Sequence, residues 1–197
     1  MALRVTGGDR EHHSLIRAWG EWGRHYHTVA HLEACLGEFQ LARDLAQHPA
    51  EVEMALWFHD AVYRTYRKDN ESRSAQWAAQ FLTNGGGDAA SVTRVCDMVM
   101  ATAHLGADLV GDAALTVDID LSILGQPADV YDAFERNVRK EYWWVPKRRY
   151  CAARIRVLRS FLERGAIFHW SLFKDRYEGV ARANLARAIQ LLTVIPS

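Results

Sequence analysis

The sequence predicts an all-α protein, a single helical bundle. Three observations carry that reading. Apolar residues recur at three- and four-residue spacing along most of the chain. The clearest Gly and Pro groups (Gly85-Gly86-Gly87, Gly125-Gln126-Pro127, Pro146) fall between those runs. Only one segment alternates in the way a strand would. At 197 residues, 49 % of them hydrophobic and 24 % charged, the chain is close to one average domain of about 150 residues and can build a core.

The elements follow in chain order. Residues 14–23 carry Leu15, Ile16, Trp19 and Trp22 at helical spacing, and residues 26–46 do so at Val29, Leu32, Leu36, Phe39 and Leu45. Pro49 suits the first turn of a third helix, whose stripe of Val52, Ala55, Leu56 and Phe58 leads to His59-Asp60. A fourth helix spans 72–82 and stops at the glycine run. A fifth, capped by Asp88 or Ser91, carries Val92, Val95, Val99 and Ala103 toward His104. In 113–124, Val117, Ile119, Leu121 and Ile123 alternate with polar partners, yet an isolated strand has nothing to pair with, so the segment is read as helix. Two amphipathic runs, 128–145 and 147–165, flank Pro146, and a last helix covers 177–193. No repeat, low-complexity tract or linker interrupts them, so residues 1–197 read as one domain.

Composition excludes several classes. The longest apolar run is five residues, Met54 to Phe58, far short of the ~20 needed for a membrane span or of a secretory leader, and a cytoplasmic location with no membrane partner is expected. Cys35, Cys96 and Cys151 are odd in number and far apart, which suits buried fillers better than disulfides or a CxxC site. Overall charge is zero, but 136–164 holds ten Lys and Arg against Glu141 and Glu163, a local +8. Such a run attracts anions such as phosphates, nucleotides or a polynucleotide. The simpler account is a solvated face salt-bridged to the acidic remainder. Tyr142-Trp143-Trp144 beside it suits base stacking or, more simply, a core or interface.

Chemistry concentrates in histidines and misplaced acids. His27 and His31 are four apart in the second helical run and share a face. His59 and Asp60 end the most apolar helix, where a carboxylate is costly to bury unless paired or bound to a cation. Asp118 and Asp120 sit among Val, Ile and Leu in LTVDIDLSILG. Imidazoles and carboxylates drawn from three helices form a nitrogen and oxygen donor set for one divalent ion, whether Mn, Mg, Fe, Co, Ni or Zn.

The order of His31, then His59-Asp60, then a late Asp resembles the HD superfamily of metal-dependent phosphohydrolases. The blocks RHYHTVAHLEACL, ALWFHDAVY, DNESRSA, TVDIDLSILG and VRKEYWWV look like those of one subfamily of predicted HD phosphohydrolases, over residues 24–145, with a weaker echo in ARANLARAIQLL. Helices in 147–194 would then pack on that core. The resemblance implies an HD-type bundle with His31, His59, Asp60 and Asp120 as metal ligands, Asp118 being the alternate. It places His27 on the open side of the site, as an outer group or in place of His31. The Glu that often follows the family's HD step is replaced by Ala61, Val62 and Tyr63, which leaves the proton-transfer residue open. Glu71 is a candidate base, and Arg24, Lys147, Arg148 and Arg149 are candidate phosphate contacts. Dinuclear members add histidines between the HD pair and the last Asp. Here only His104 lies there, so one ion is expected, with His104 a phosphate donor, an outer group or a plain helix-end residue.

The expected activity is hydrolysis of a phosphate ester of a nucleotide or other small metabolite. The alternatives are a non-catalytic nucleotide- or protein-binding module and, less favoured, a helical nucleic-acid binder using residues 136–164. Whether the chain forms a homo-oligomer is not legible from the sequence.

Overall fold

The computed structural model describes residues 8–104 and 108–194. Among them every regular element is helical and there is no strand, so the protein is all-α. No helix among them is long and apolar enough to cross a membrane. The described residues form two compact units, one ending at Asp120 and one starting at Leu121.

In the first unit, α1 (Gly8–Trp19) begins earlier than its apolar period suggests. Its opening residues are polar, and Asp9 and Glu11 favour the first turn through the helix dipole. It ends at Trp19, before Gly23 turns the chain at φ +91°. α2 (Val29–Ala42) starts after Thr28, its extended N-cap, and closes in a 3₁₀ turn, Arg43–Leu45. His27 therefore precedes the helix instead of sharing its face with His31.

α3 (Pro49–Phe58) opens on proline, and His59 is its C-cap. Apart from Glu51 and Glu53 it is apolar on every side, and it is packed by α2 and by the next two helices, α4 (Asn70–Asn84) and α5 (Ala89–Ala101). Asp88 caps α5, accepting from the Ser91 N–H at 2.9 Å. α5 stops at Ala101, short of His104.

α6 (Gly111–Leu121) is helical despite its alternating pattern. Residues 114–119 are all buried, so the helix has no solvent face to display a 3.6-residue period. Both Asp112 oxygens accept main-chain N–H bonds, from Gln47 and His48, at 2.8 Å each. The start of α6 is thereby clamped to the start of α3. The two helices run in the same direction, and His59 and Asp120 meet at their far ends.

Glu51 of α3 is buried and takes a bidentate pair from Arg94 of α5, both contacts at 2.6 Å. Burial pushes its carboxyl up, but Arg94 and Ser91 outweigh that, and its pKa lies below the ordinary value. A depressed carboxyl contributes stability above its unfolded pKa, and that contribution is lost as pH falls through the folded pKa. Glu51→Gln is therefore expected to lower stability by about 1.5 kcal/mol at pH 7. In urea titrations the gap to wild type should narrow steadily below about pH 4.5. A gap that stays constant down to pH 3 would contradict this.

The second unit comprises a 3₁₀ turn (Ser122–Gly125), α7 (Ala128–Glu141), α8 (Lys147–Leu162), a short α9 (Ser171–Phe173), a π turn (Lys174–Glu178) and α10 (Gly179–Thr193). α7 ends before Tyr142 and α8 before Glu163, both shorter than their apolar patterns suggest. Asn184 of α10 donates to the carbonyls of Leu124 and Gln126, at 3.0 and 2.9 Å. Glu178 accepts from the N–H groups of Ile167 and Phe168, beneath a cluster of Phe168, Phe173 and Tyr177.

Candidate metal centre

His31, Cys35, His59 and Asp120 form a group able to hold a metal ion, with one potential ligand atom from each lying within 4.8 Å of the others. α2 presents His31 and Cys35 one turn apart, the end of α3 presents His59, and the end of α6 presents Asp120. Nε2 of His31 is 3.2 Å from Nε2 of His59 and 3.1 Å from Oδ1 of Asp120. Nε2 of His59 lies 3.6 Å from the same oxygen and 3.4 Å from Oδ2 of Asp60. Donors about 2.1 Å from a shared ion and 90–109° apart lie about 3.0–3.4 Å from one another, so these residues fit a divalent cation.

The surroundings prepare the donors. Nδ1 of His59 lies 2.8 Å from the Leu56 carbonyl. A ring that donates there, when neutral, keeps its Nε2 lone pair for the cluster. Trp19, fixed by its indole bond to the Trp57 carbonyl, packs against both imidazoles at 6.1 and 5.2 Å. Oδ2 of Asp120 meets Nε2 of His104 at 3.0 Å, leaving Oδ1 to the other two histidines. His104 has φ +55°, a left-handed backbone uncommon outside glycine, and makes this contact from it.

Burial lowers the His31 imidazole despite Asp120. At His59 burial acts the same way, but Asp60 and Asp120 override it and raise the pKa to about 9. Burial alone would raise Asp120, yet the bonds to His104, His31 and His59 hold it well below the carboxylate range. Burial, with Asp120 and Asp60 nearby, pushes the Cys35 thiol well up.

Of the two late aspartates, Asp120 reaches the histidines. Asp118, fully buried, lies about 200° away around the helix and faces elsewhere. Asp60 flanks His59, and Nε2 of His27 lies 3.9 Å from the same Asp60 oxygen, its ring stacked on Tyr63 at 3.9 Å. His104 bonds Asp120 and so is more than a plain helix end.

Two expectations are corrected. Cys35 is no mere filler, as it stands beside the cluster. Its sulfur is 3.7 Å from Nε2 and 3.8 Å from Nδ1 of His31, within the group able to hold an ion. The one-turn spacing in HLEAC was the signal for it. Arg24 is not a free phosphate contact. It is buried and donates to the carbonyls of His27, Asp60 and Ala61, at 3.2, 2.7 and 3.0 Å, so that it clamps the His-Asp turn. Glu71, the candidate base, lies in the first turn of α4.

Neighbouring residues of α4 brace the turn instead. Asn70 exchanges hydrogen bonds with the Arg64 main chain, and Ser74 accepts from the Val62 N–H at 3.0 Å. A cleft of about 500 Å³ beside this segment is lined by Ala61, Val62, Arg17, Arg64, Arg67 and Arg73, among others. Arg64 is paired with Glu21, while Arg67 and Arg73 share Asp69. Lys147, Arg148 and Arg149 stand in the first turn of α8, in the second unit.

Comparison with protein-family models, curated proteins and solved structures returns no match.

Proposed function

We propose that the chain is a metal-dependent phosphohydrolase with one divalent ion held by His31, His59, Asp60 and Asp120, acting on a small phosphate ester such as a nucleotide. The observation that supports this is the convergence of two imidazole nitrogens and one carboxylate oxygen within 3.1–3.6 Å, from three separate helices. A bound cation there would polarise a phosphoryl oxygen and acidify water. The chain's residues supply the rest. Asp120 and Asp60 provide negative charge that keeps a cation in place, and Leu56 and His104 orient the donors. His27 stands over Asp60, part-exposed and on the open side, within reach of a substrate's leaving group.

The purified protein is expected to carry about one transition metal per chain. It should release phosphate from members of a nucleotide and sugar-phosphate panel when Mn, Co, Ni or Mg is supplied. Asp60→Ala should abolish release while circular dichroism stays helical. A metal-loaded wild type that hydrolyses nothing in the panel but binds a nucleotide would favour the non-catalytic binding module.

A further inference from the structure

We propose that the exposed face of α8, together with Trp143 and Trp144 ahead of it, binds single-stranded nucleic acid. This goes beyond the hydrolase reading and does not depend on it. The +8 segment was expected to be solvated and salt-bridged, and only part of it is. Arg154 pairs with Glu135, and Arg139 is spent on the carbonyls of Tyr142 and Val145. Lys147, Arg148, Arg149, Arg156 and Arg159 are exposed, and their side chains make no ion pair or hydrogen bond among the described residues.

Four of these are arranged as a track, with Lys147 beside its start on another side of the helix. Arg149 and Arg156 are seven residues apart and Arg148 and Arg159 eleven, so each pair shares a side of the helix, with exposed Ala152 and Ala153 between them. From Arg148 to Arg159 the track runs about 17 Å. The first turn of α8 holds three cations and no acid, against the helix dipole. Mutual repulsion and that dipole both disfavour the free protein, and a polyanion laid along the face relieves both.

The two tryptophans decide which polyanion. Trp143 is 71 % exposed and Trp144 48 %. Neither is core, and Trp143, a large ring mostly in water, suits a stacking partner. A duplex hides its base faces, whereas a single strand offers them next to its phosphates.

The test is fluorescence anisotropy of a labelled oligothymidylate about 12 nucleotides long. Three to five phosphate contacts imply a log–log salt slope of about −2 to −3.5, so affinity should fall about 15- to 130-fold between 50 and 200 mM salt. Lys147→Glu with Arg148→Glu and Arg149→Glu should abolish binding without lowering Tm, because acids suit a helix N-terminus. Arg156→Gln with Arg159→Gln should reduce the slope by about 1.4. Trp143→Ala should weaken binding about 5- to 150-fold at unchanged slope.

Absence of binding at 50 mM salt overturns the proposal, as does binding that survives the triple reversal. So does equal competition by heparin or duplex DNA combined with an inert Trp143→Ala, which would leave a charge-only surface. Asp60→Ala should bind the oligonucleotide as wild type does, so failure of the hydrolase reading and failure of this one are told apart.

Discussion

Replacing Asp120 by alanine is expected to take the bound metal from about one ion per chain to almost none, and metal-dependent phosphate release with it, by more than 10³-fold. Oδ1 of Asp120 is the point that both His31 and His59 approach, at 3.1 and 3.6 Å, and no other carboxylate is placed against both rings. Two variants bracket the result. His104→Ala removes only the group holding Oδ2, and outer-partner losses of this kind weaken metal binding by about 10- to 100-fold. Asp118→Asn, at the fully buried acid on the other side of α6, should keep the ion. Metal content by elemental analysis ranks the three. An Asp120→Ala protein that retains its ion, or an Asp118→Asn protein that loses it while folded, would refute the assignment of ligands.

Gly125→Ala is expected to be the most disruptive single methyl addition in the second unit. A Cβ at Gly125 would lie 2.8 Å from Cα and from Cδ1 of Tyr177, and closer still to its Cβ. No rotamer of Tyr177 relieves a collision with its own backbone. The main chain around Gly125 cannot move away easily, because Asn184 holds the carbonyls on either side of it. Overpacking of this kind costs about 3 kcal/mol or more, which is about 6–12 °C in Tm for a chain of this length. Gly165→Ala, where nothing lies within 4 Å of the added carbon, serves as the control and should melt near wild type. Equal melting temperatures for the two variants would show that the close approach at Gly125 is not needed.

The helical class and most of the cluster were legible in the sequence because both leave local traces. Buried stripes repeat at helical spacing, and a carboxylate such as Asp60 or Asp120 is conspicuous within an apolar run. What was illegible depends on tertiary partners. His27 reads as helical by its four-residue spacing from His31, but the chain enters α2 only after Thr28. Cys35 is marked only by its one-turn spacing from His31, and its other neighbours arrive only when α3 and α6 are brought against α2. Arg24 and the exposed α8 cations look alike in the sequence, yet one is locked onto carbonyls and the others have no partner among the described residues. That difference lies in which oxygens the fold places nearby, and charge counts do not encode it. The π turn at Lys174–Glu178 likewise leaves no periodic signature.

The parallel course of α3 and α6, clamped by Asp112 at their starts, also sets the charge of the corner where they end. Both helices point their partially negative carboxyl ends at His59 and Asp120, where two carboxylates already stand. Of the groups that meet here, His59, with its pKa raised to about 9, is the one that carries positive charge before any ion binds. A cation is therefore the favoured guest of this corner, and under the proposed activity a phosphate would enter more readily once a cation had bound.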